Sequence, residues 1–199
     1  MADTALAGLP RIVRAADEIR WRGQAMLSLG LASACYWIVM WLVDGPVQPL
    51  AASTVFTTSL MMSLVLSAIT SRRRLAYALD HITNPRAMVH ETPADARERQ
   101  ALAAVVFVFG AVILLMMDTA ISEVGATAAL LAGGGIGIGA TDLLEARRWQ
   151  QVEASRSSRL FLMISPGAML VRMGTGNAYE LPGASRPDDG PSPFDLPEI

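Results

Sequence analysis

The sequence predicts an all-α integral membrane protein: four transmembrane helices in two hairpins, with a small cytoplasmic β-hairpin element near the C-terminus. Three observations predict it. Apolar residues gather in four long blocks, and the charges fall between them. Hydrophobic residues make up 52% of the 199-residue chain and charged residues only 17%, against roughly 25% charged in soluble domains. All 16 basic residues are arginine, and they occupy only three of the five segments that the blocks delimit.

Residues 1–24 form a cytoplasmic arm. In it, Leu9, Ile12, Val13, Ala16 and Ile19 recur at helical spacing, with Arg11, Arg14, Asp17 and Arg20 on the other face. This pattern predicts a short amphipathic helix, lying on the membrane surface or leading into the first span. The arm is charged and no cleavage site closes the first block, so a signal peptide is not expected. Trp21 belongs at headgroup level.

The first span is 25–43, uncharged and long enough to cross about 30 Å of hydrocarbon at 1.5 Å per residue. It contains Cys35, the only cysteine, which behaves there as a small hydrophobe. Asp44, Gly45, Pro46 and Pro49 make the turn to the second span, 50–70. A central connection, 71–100, begins with the basic stop Arg72-Arg73-Arg74 and is broken at Asn84-Pro85. Thr92, Pro93 and Asp95 carry the N-cap, first-turn proline and capping-box positions of a new helix, which runs into the third span, 101–117. Asp118 or Thr119 is the expected N-cap of the fourth span, 120–141. A tail, 142–184, reads as a β-hairpin, with strands at Leu160–Ile164 and Met169–Met173 about a Ser165-Pro166-Gly167 turn. A second turn precedes Tyr179 and Leu181. The Pro-, Asp- and Ser-rich end, 185–199, has the composition of a disordered segment.

The arm, the central connection and the tail hold every arginine; the links 44–49 and 118–123 hold none. With four spans those three segments share one side, which the positive-inside rule makes cytoplasmic. The expected location is the plasma (inner) membrane, multi-pass, with both termini cytoplasmic. Exclusive use of arginine fits a GC-rich bacterial genome.

Block four contains Ala-Gly-Gly-Gly-Ile-Gly-Ile-Gly-Ala-Thr-Asp, Ala132 to Asp142. Gly135-x-Gly137-x-x-Ala140 satisfies the dinucleotide fingerprint in form, with acids after it at Asp142 and Glu145. A phosphate cradle needs a strand before the glycines, and the alanine-rich stretch before these suits a helix. At helical spacing the same residues give two G-x-x-x-G pairs, Gly133/Gly137 and Gly135/Gly139, which favour close helix packing within the chain or between chains.

Other candidates are weaker. Ser53, Thr57, Ser63 and Ser67 could form a polar stripe along span two, or simply bond to their own helix. Glu123 is the only candidate intramembrane acid, or a first-turn acid at the interface. Arg72, Arg73, Arg74, Arg147 and Arg148 suit lipid headgroups, topology, or both. Tyr36, Trp37, Trp41 and Trp149 fit interfacial belts. The two histidines, His81 and His90, lie in the central connection without metal-ligand spacing. No catalytic residue, metal site or cofactor is expected. The expected partners are the lipid bilayer and other membrane subunits or a second copy of the chain; the net charge of -2 gives no reason to expect nucleic acid.

Three functions remain in view. The first is a non-enzymatic scaffold, anchor or accessory subunit of a membrane assembly. The second is a small oligomeric pore or facilitator for ions or small solutes. The third is a lipid-modifying enzyme using His81, His90 and Asp80.

Overall fold

The computed structural model describes residues 11–44, 49–82, 89–121, 125–164 and 178–182. In chain order these form β1 (Arg11–Arg14), α1 (Ala15–Asp44), α2 (Pro49–Asp80), β2 (Val89–His90), α3 (Pro93–Ile121), α4 (Ala126–Arg156), β3 (Ser158–Ile164) and β4 (Ala178–Pro182). All four helices are long and apolar enough to cross a membrane. The longest, α2, has 32 residues and extends about 48 Å at 1.5 Å per residue, well beyond the hydrocarbon thickness of about 30 Å. The surplus lies at the arginine-rich end, where it meets the sheet.

The glycine-rich α4 is the central element, packed between α1 and α2. A Cβ on Gly135 would lie 2.8 Å from Gly30 Cα, and one on Gly139 would lie 2.6 Å from the Leu27 amide nitrogen, so these two glycines admit the α1 backbone. Gly133 and Gly137 admit α2 in the same way: their added carbons would come within 2.5 Å of the Phe56 carbonyl oxygen and 3.0 Å of the Leu60 carbonyl oxygen. The two G-x-x-x-G pairs thus serve two helices of the same chain, one on each flank. Gly30 on α1 completes the approach, because its own Cβ would reach within 2.5 Å of the Ile136 nitrogen. Two helices can come this close only where neither carries a side chain at the crossing.

The serines and threonines of α2 do not make one stripe. Ser53 and Thr57 are exposed, and their hydroxyls donate to the Leu50 and Ser53 carbonyl oxygens. Ser63 lies on the packing face against Gly137, and Ser67 is half-buried. A helix turns 100° per residue, so residues 53 and 57 point well away from 63. Thr57→Val is accordingly expected to change thermal stability by less than about 1 kcal/mol, as a detergent melt would show.

Several sequence expectations need correction. Of the two readings of the arm, the helical lead-in to the first apolar block is the one found, from Ala15 onward. Arg11–Arg14 is a strand, and the helix starting at Ala15 runs unbroken into the first span. Its apolar face is buried in protein, with Ala15, Ala16 and Ile19 at 0% exposure. The physical reason is a partner: β-branched Ile12 and Val13 pair with Met163 and Leu162 across an antiparallel ladder. The fourth helix begins at Ala126, after Gly125 in the left-handed region at φ 62, because α3 continues as helix to Ile121 and takes Asp118 and Thr119 with it. At its other end the fourth helix runs on past the apolar block, which ends at Thr141, to Arg156. The N-cap of α3 is as expected: Thr92 Oγ1 accepts from the Asp95 amide at 3.2 Å, with Pro93 in the first turn. Glu123, the strand expected at 169–173, the 165–167 turn and the 185–199 tail lie outside the described residues.

The strand expected at Leu160–Ile164 is present as part of β3 and belongs to a larger sheet. β3 pairs antiparallel with β4 and, on its other edge, antiparallel with β1, which pairs in parallel with β2, giving the order β2-β1-β3-β4. The arm, the central connection and the tail therefore each contribute to one sheet. Its period-2 alternation separates two faces. Leu160, Leu162 and Ala178 pack with Ala15, Ile19, Ala78 and Trp149 in a core beneath the helix extensions. Ile12, Phe161 and Tyr179 form a second cluster. Three segments too short to fold alone thus form one head by sharing a core.

Candidate functional site

The polar chemistry of the described residues is concentrated in this head, and it follows from helical spacing. On α4, Gly135, Gly139, Asp142, Ala146, Trp149 and Glu153 recur every three to four residues, so the glycine face continues beyond the apolar block with two acids on it. On α1, Glu18 and Arg22 are one turn apart; Arg22 meets that face at Asp142, and Glu18 meets Arg99 of α3.

Among the described residues, four arginine–carboxylate contacts are 2.9 Å or shorter. Arg22 grips Asp142 with two hydrogen bonds of 2.7 Å, from Nε and one terminal nitrogen, and Asp142 is 1% exposed. Such fork-on-fork pairing is the strong form of the interaction. Arg99 of α3 donates to both oxygens of Glu18, at 2.9 and 2.7 Å, and to both of Glu91, at 2.9 and 3.1 Å. Arg14 of β1 reaches Glu153 at 2.7 Å; the hydrogen bond to Glu153 raises the Arg14 pKa above its ordinary value against the opposing effect of burial. Glu153 also accepts the Leu160 amide at 3.0 Å, which fixes the start of β3 to the end of α4.

Arg99 has a special structural task. Along its apolar length α3 exposes Leu102, Val105, Val106, Val108, Phe109 and Met116, and a Cβ on Gly110 would meet nothing within 4 Å. Contacts within the apolar region therefore hold α3 only weakly, and the Arg99 ion pairs anchor it to α1 and to the segment before it.

Glu145 differs from the other acids. It is 2% exposed. Its Oε1 accepts from Trp149 Nε1 at 3.4 Å, while its Oε2 is the one buried side-chain oxygen or nitrogen without a hydrogen-bond partner among the described residues. Arg74 and Arg22 act on it electrostatically, as does Asp142. It lines a groove of about 500 Å³ between α2 and α4, together with Ser71, Arg72, Leu75, Leu79 and Arg148. Arg72 and Arg148 are exposed, and among the described residues neither has an ion-pair partner.

The structure therefore divides the five arginines singled out in the sequence. Arg72 and Arg148 come together on one groove, Arg74 is half-buried beside Glu145, and Arg73 and Arg147 are exposed away from the groove. Asp142 is the partner of Arg22. Trp149 is 2% exposed inside the head core and is no interfacial belt residue. Trp37 does lie at the far end, stacked on Phe56 with centroids 5.9 Å apart. His81 is exposed, stacked on Tyr77 at 4.1 Å, with Nδ1 3.0 Å from the Tyr77 carbonyl oxygen; Asp80 is exposed beside it. His90 takes part in β2 through its backbone. Among the described residues no group of three or more His, Cys, Asp or Glu could hold a metal ion.

Sequence reading passed over Glu18, Arg22, Arg99, Arg14 and Glu153. A signal existed for part of this set: acids at 142, 145 and 153 continue the glycine face, and Glu18 and Arg22 share one face of α1. Arg99 carries no such signal, because its partners are 81 and 8 residues away.

No protein-family model, curated protein or solved structure matches this chain.

Proposed function

We propose that this chain is a non-enzymatic membrane protein, a multi-pass anchor whose folded head acts as a scaffold or accessory subunit of a larger assembly. On this reading it sits in an inner membrane with the head and both termini on the cytoplasmic side, and its partners are other membrane subunits or a second copy. One observation carries the reading: the bundle is closed by backbone-to-backbone glycine contacts on both flanks of α4, while the polar groups are gathered into a head locked by buried ion pairs. A rigid base bearing an ordered head suits presentation better than transport or turnover. The exposed, loosely held α3 adds to it, as the helix most available to a neighbour.

The pore reading has less support. Gly133 and Gly137 bring α4 directly onto α2 at Ser59 and Ser63, which leaves those hydroxyls no lumen within one chain. The enzyme reading has the least, since His81 is engaged by its own helix.

The test is chemical crosslinking in intact membranes followed by sizing after mild solubilisation. A reproducible crosslinked neighbour and a species larger than one chain are expected. A strict monomer without a crosslinked neighbour overturns the scaffold reading, and solute flux in liposomes that is lost in Ser63→Leu would favour the pore. Orientation is tested separately. Asp44→Cys in a Cys35→Ser background is expected to label from outside the cell and His81→Cys is not; the reverse pattern overturns the orientation.

A further inference from the structure

We propose that the groove between α2 and α4 binds one phospholipid headgroup that bears a hydrogen-bond donor beyond its phosphate, namely ethanolamine or glycerol. The phosphate sits on Arg72 and Arg148, and the donor faces Glu145. The inference uses the membrane placement of the helices but no partner protein, so a failed crosslinking experiment leaves it standing.

Three independent features converge on the groove. The first is its position. Ser71 and Arg72 directly follow the uncharged stretch that ends at Thr70, so at 1.5 Å per residue these two lining residues lie within about 3 Å of the end of that stretch along α2. That is where phosphates of the bilayer sit. The second is charge. Arg72 on α2 and Arg148 on α4 line the groove from its two walls, and neither has a carboxylate partner among the described residues. Two arginines lining one groove are suited to a phosphate, which each guanidinium can bind through two donors. Ser71 adds a hydroxyl at the same level, although it also donates to the Ala68 carbonyl oxygen at 3.1 Å.

The third feature makes the site selective. Glu145 lines the same groove, is 98% buried by its 2% exposure, and has a side-chain oxygen with no partner. Buried acceptors are nearly always satisfied. Arginine-only chemistry would take any phosphate, whereas this carboxyl calls for a donor one short spacer beyond it. An ethanolamine ammonium or a glycerol hydroxyl provides that donor; the trimethylated ammonium of choline has no N–H to give. The volume of about 500 Å³ is ample for such a group, being within the roughly 300–1,000 Å³ of small-ligand sites.

Native mass spectrometry of the full chain in detergent tests this, with phosphatidylethanolamine, phosphatidylglycerol and phosphatidylcholine of matched chains at equal concentration. The ethanolamine or glycerol lipid is expected to be retained about ten-fold more than the choline lipid. The double variant Arg72→Gln with Arg148→Gln is expected to lose retention of all three by about ten-fold, and both sites are exposed, so the fold should survive. Glu145→Met is expected to reduce the preferred lipid to the choline level; should that variant not fold, the arginine pair decides. Equal retention of the three lipids, or retention unaltered in the arginine variant, overturns the proposal. Binding of soluble phosphoethanolamine or glycerol 3-phosphate with no lipid retained also overturns it, and would assign the groove to a free phosphomonoester.

Discussion

Replacing Gly135 with leucine is expected to separate α1 from α4 and to cost about 3 kcal/mol or more, the upper end of overpacking penalties. The magnitude follows from what the new side chain would meet. Its first carbon alone would lie 2.8 Å from Gly30 Cα, 2.9 Å from the Gly30 nitrogen and 2.9 Å from the Met26 carbonyl oxygen. All three are backbone atoms, so no rotamer change relieves the clash and the helices must move apart. The check is thermal unfolding in detergent, read beside proteolysis of the arm. Gly110→Ala is the control. Its added carbon meets nothing within 4 Å, so a stability equal to the parent, or higher by about 0.5–1 kcal/mol from helix propensity, is expected. A Gly135→Leu protein that melts with the parent would mean that α1 and α4 do not cross there.

Removing one side of the Arg22–Asp142 pair is expected to be comparably severe. Arg22→Ala leaves a carboxylate that is 1% exposed without its two 2.7 Å donors, and stranding a buried charge costs about 3–5 kcal/mol. Asp142→Ala strands the guanidinium, whose side chain is 17% exposed, and should cost somewhat less because it can turn toward water. The double change Arg22→Met with Asp142→Leu should recover much of the loss, since buried ion pairs are often matched by apolar residues of similar volume. A thermodynamic cycle over these variants measures the coupling. If Arg22→Ala changed stability by less than about 0.5 kcal/mol, a typical surface value, the pair would have to be solvated.

Both predictions concern contacts that the sequence announces only in part. The four helices were legible because long uncharged blocks have few other uses, and arginine placement fixed which ends lie together. The glycine pairs were legible as packing surfaces, but not their targets. Gly23 and Gly30 on α1 went unread, because two glycines seven residues apart look unremarkable until Gly135 and Gly139 are set against them. Composition changes before conformation does on α4: Asp142 to Arg156 is polar yet remains helical, held by Arg22, Arg14 and the head core. The arm was misread for a related reason. Ile12 and Val13 fit a helix face and a strand equally well over so short a stretch, and the choice fell to β3, some 150 residues later.

The sequence by itself determined the number of long apolar helices, the absence of arginine from the two short links between them, and the helical nature of the glycine run, because these depend on local composition against a fixed hydrocarbon thickness. Only the tertiary structure decided that the run faces α1 on one side and α2 on the other, that arm, connection and tail close into one sheet, and that Glu145, with one buried oxygen lacking a hydrogen-bond partner, lines the same groove as Arg72 and Arg148. Those outcomes are set by which distant segment completes a ladder, a crossing or an ion pair, and no window of neighbouring residues encodes the partner.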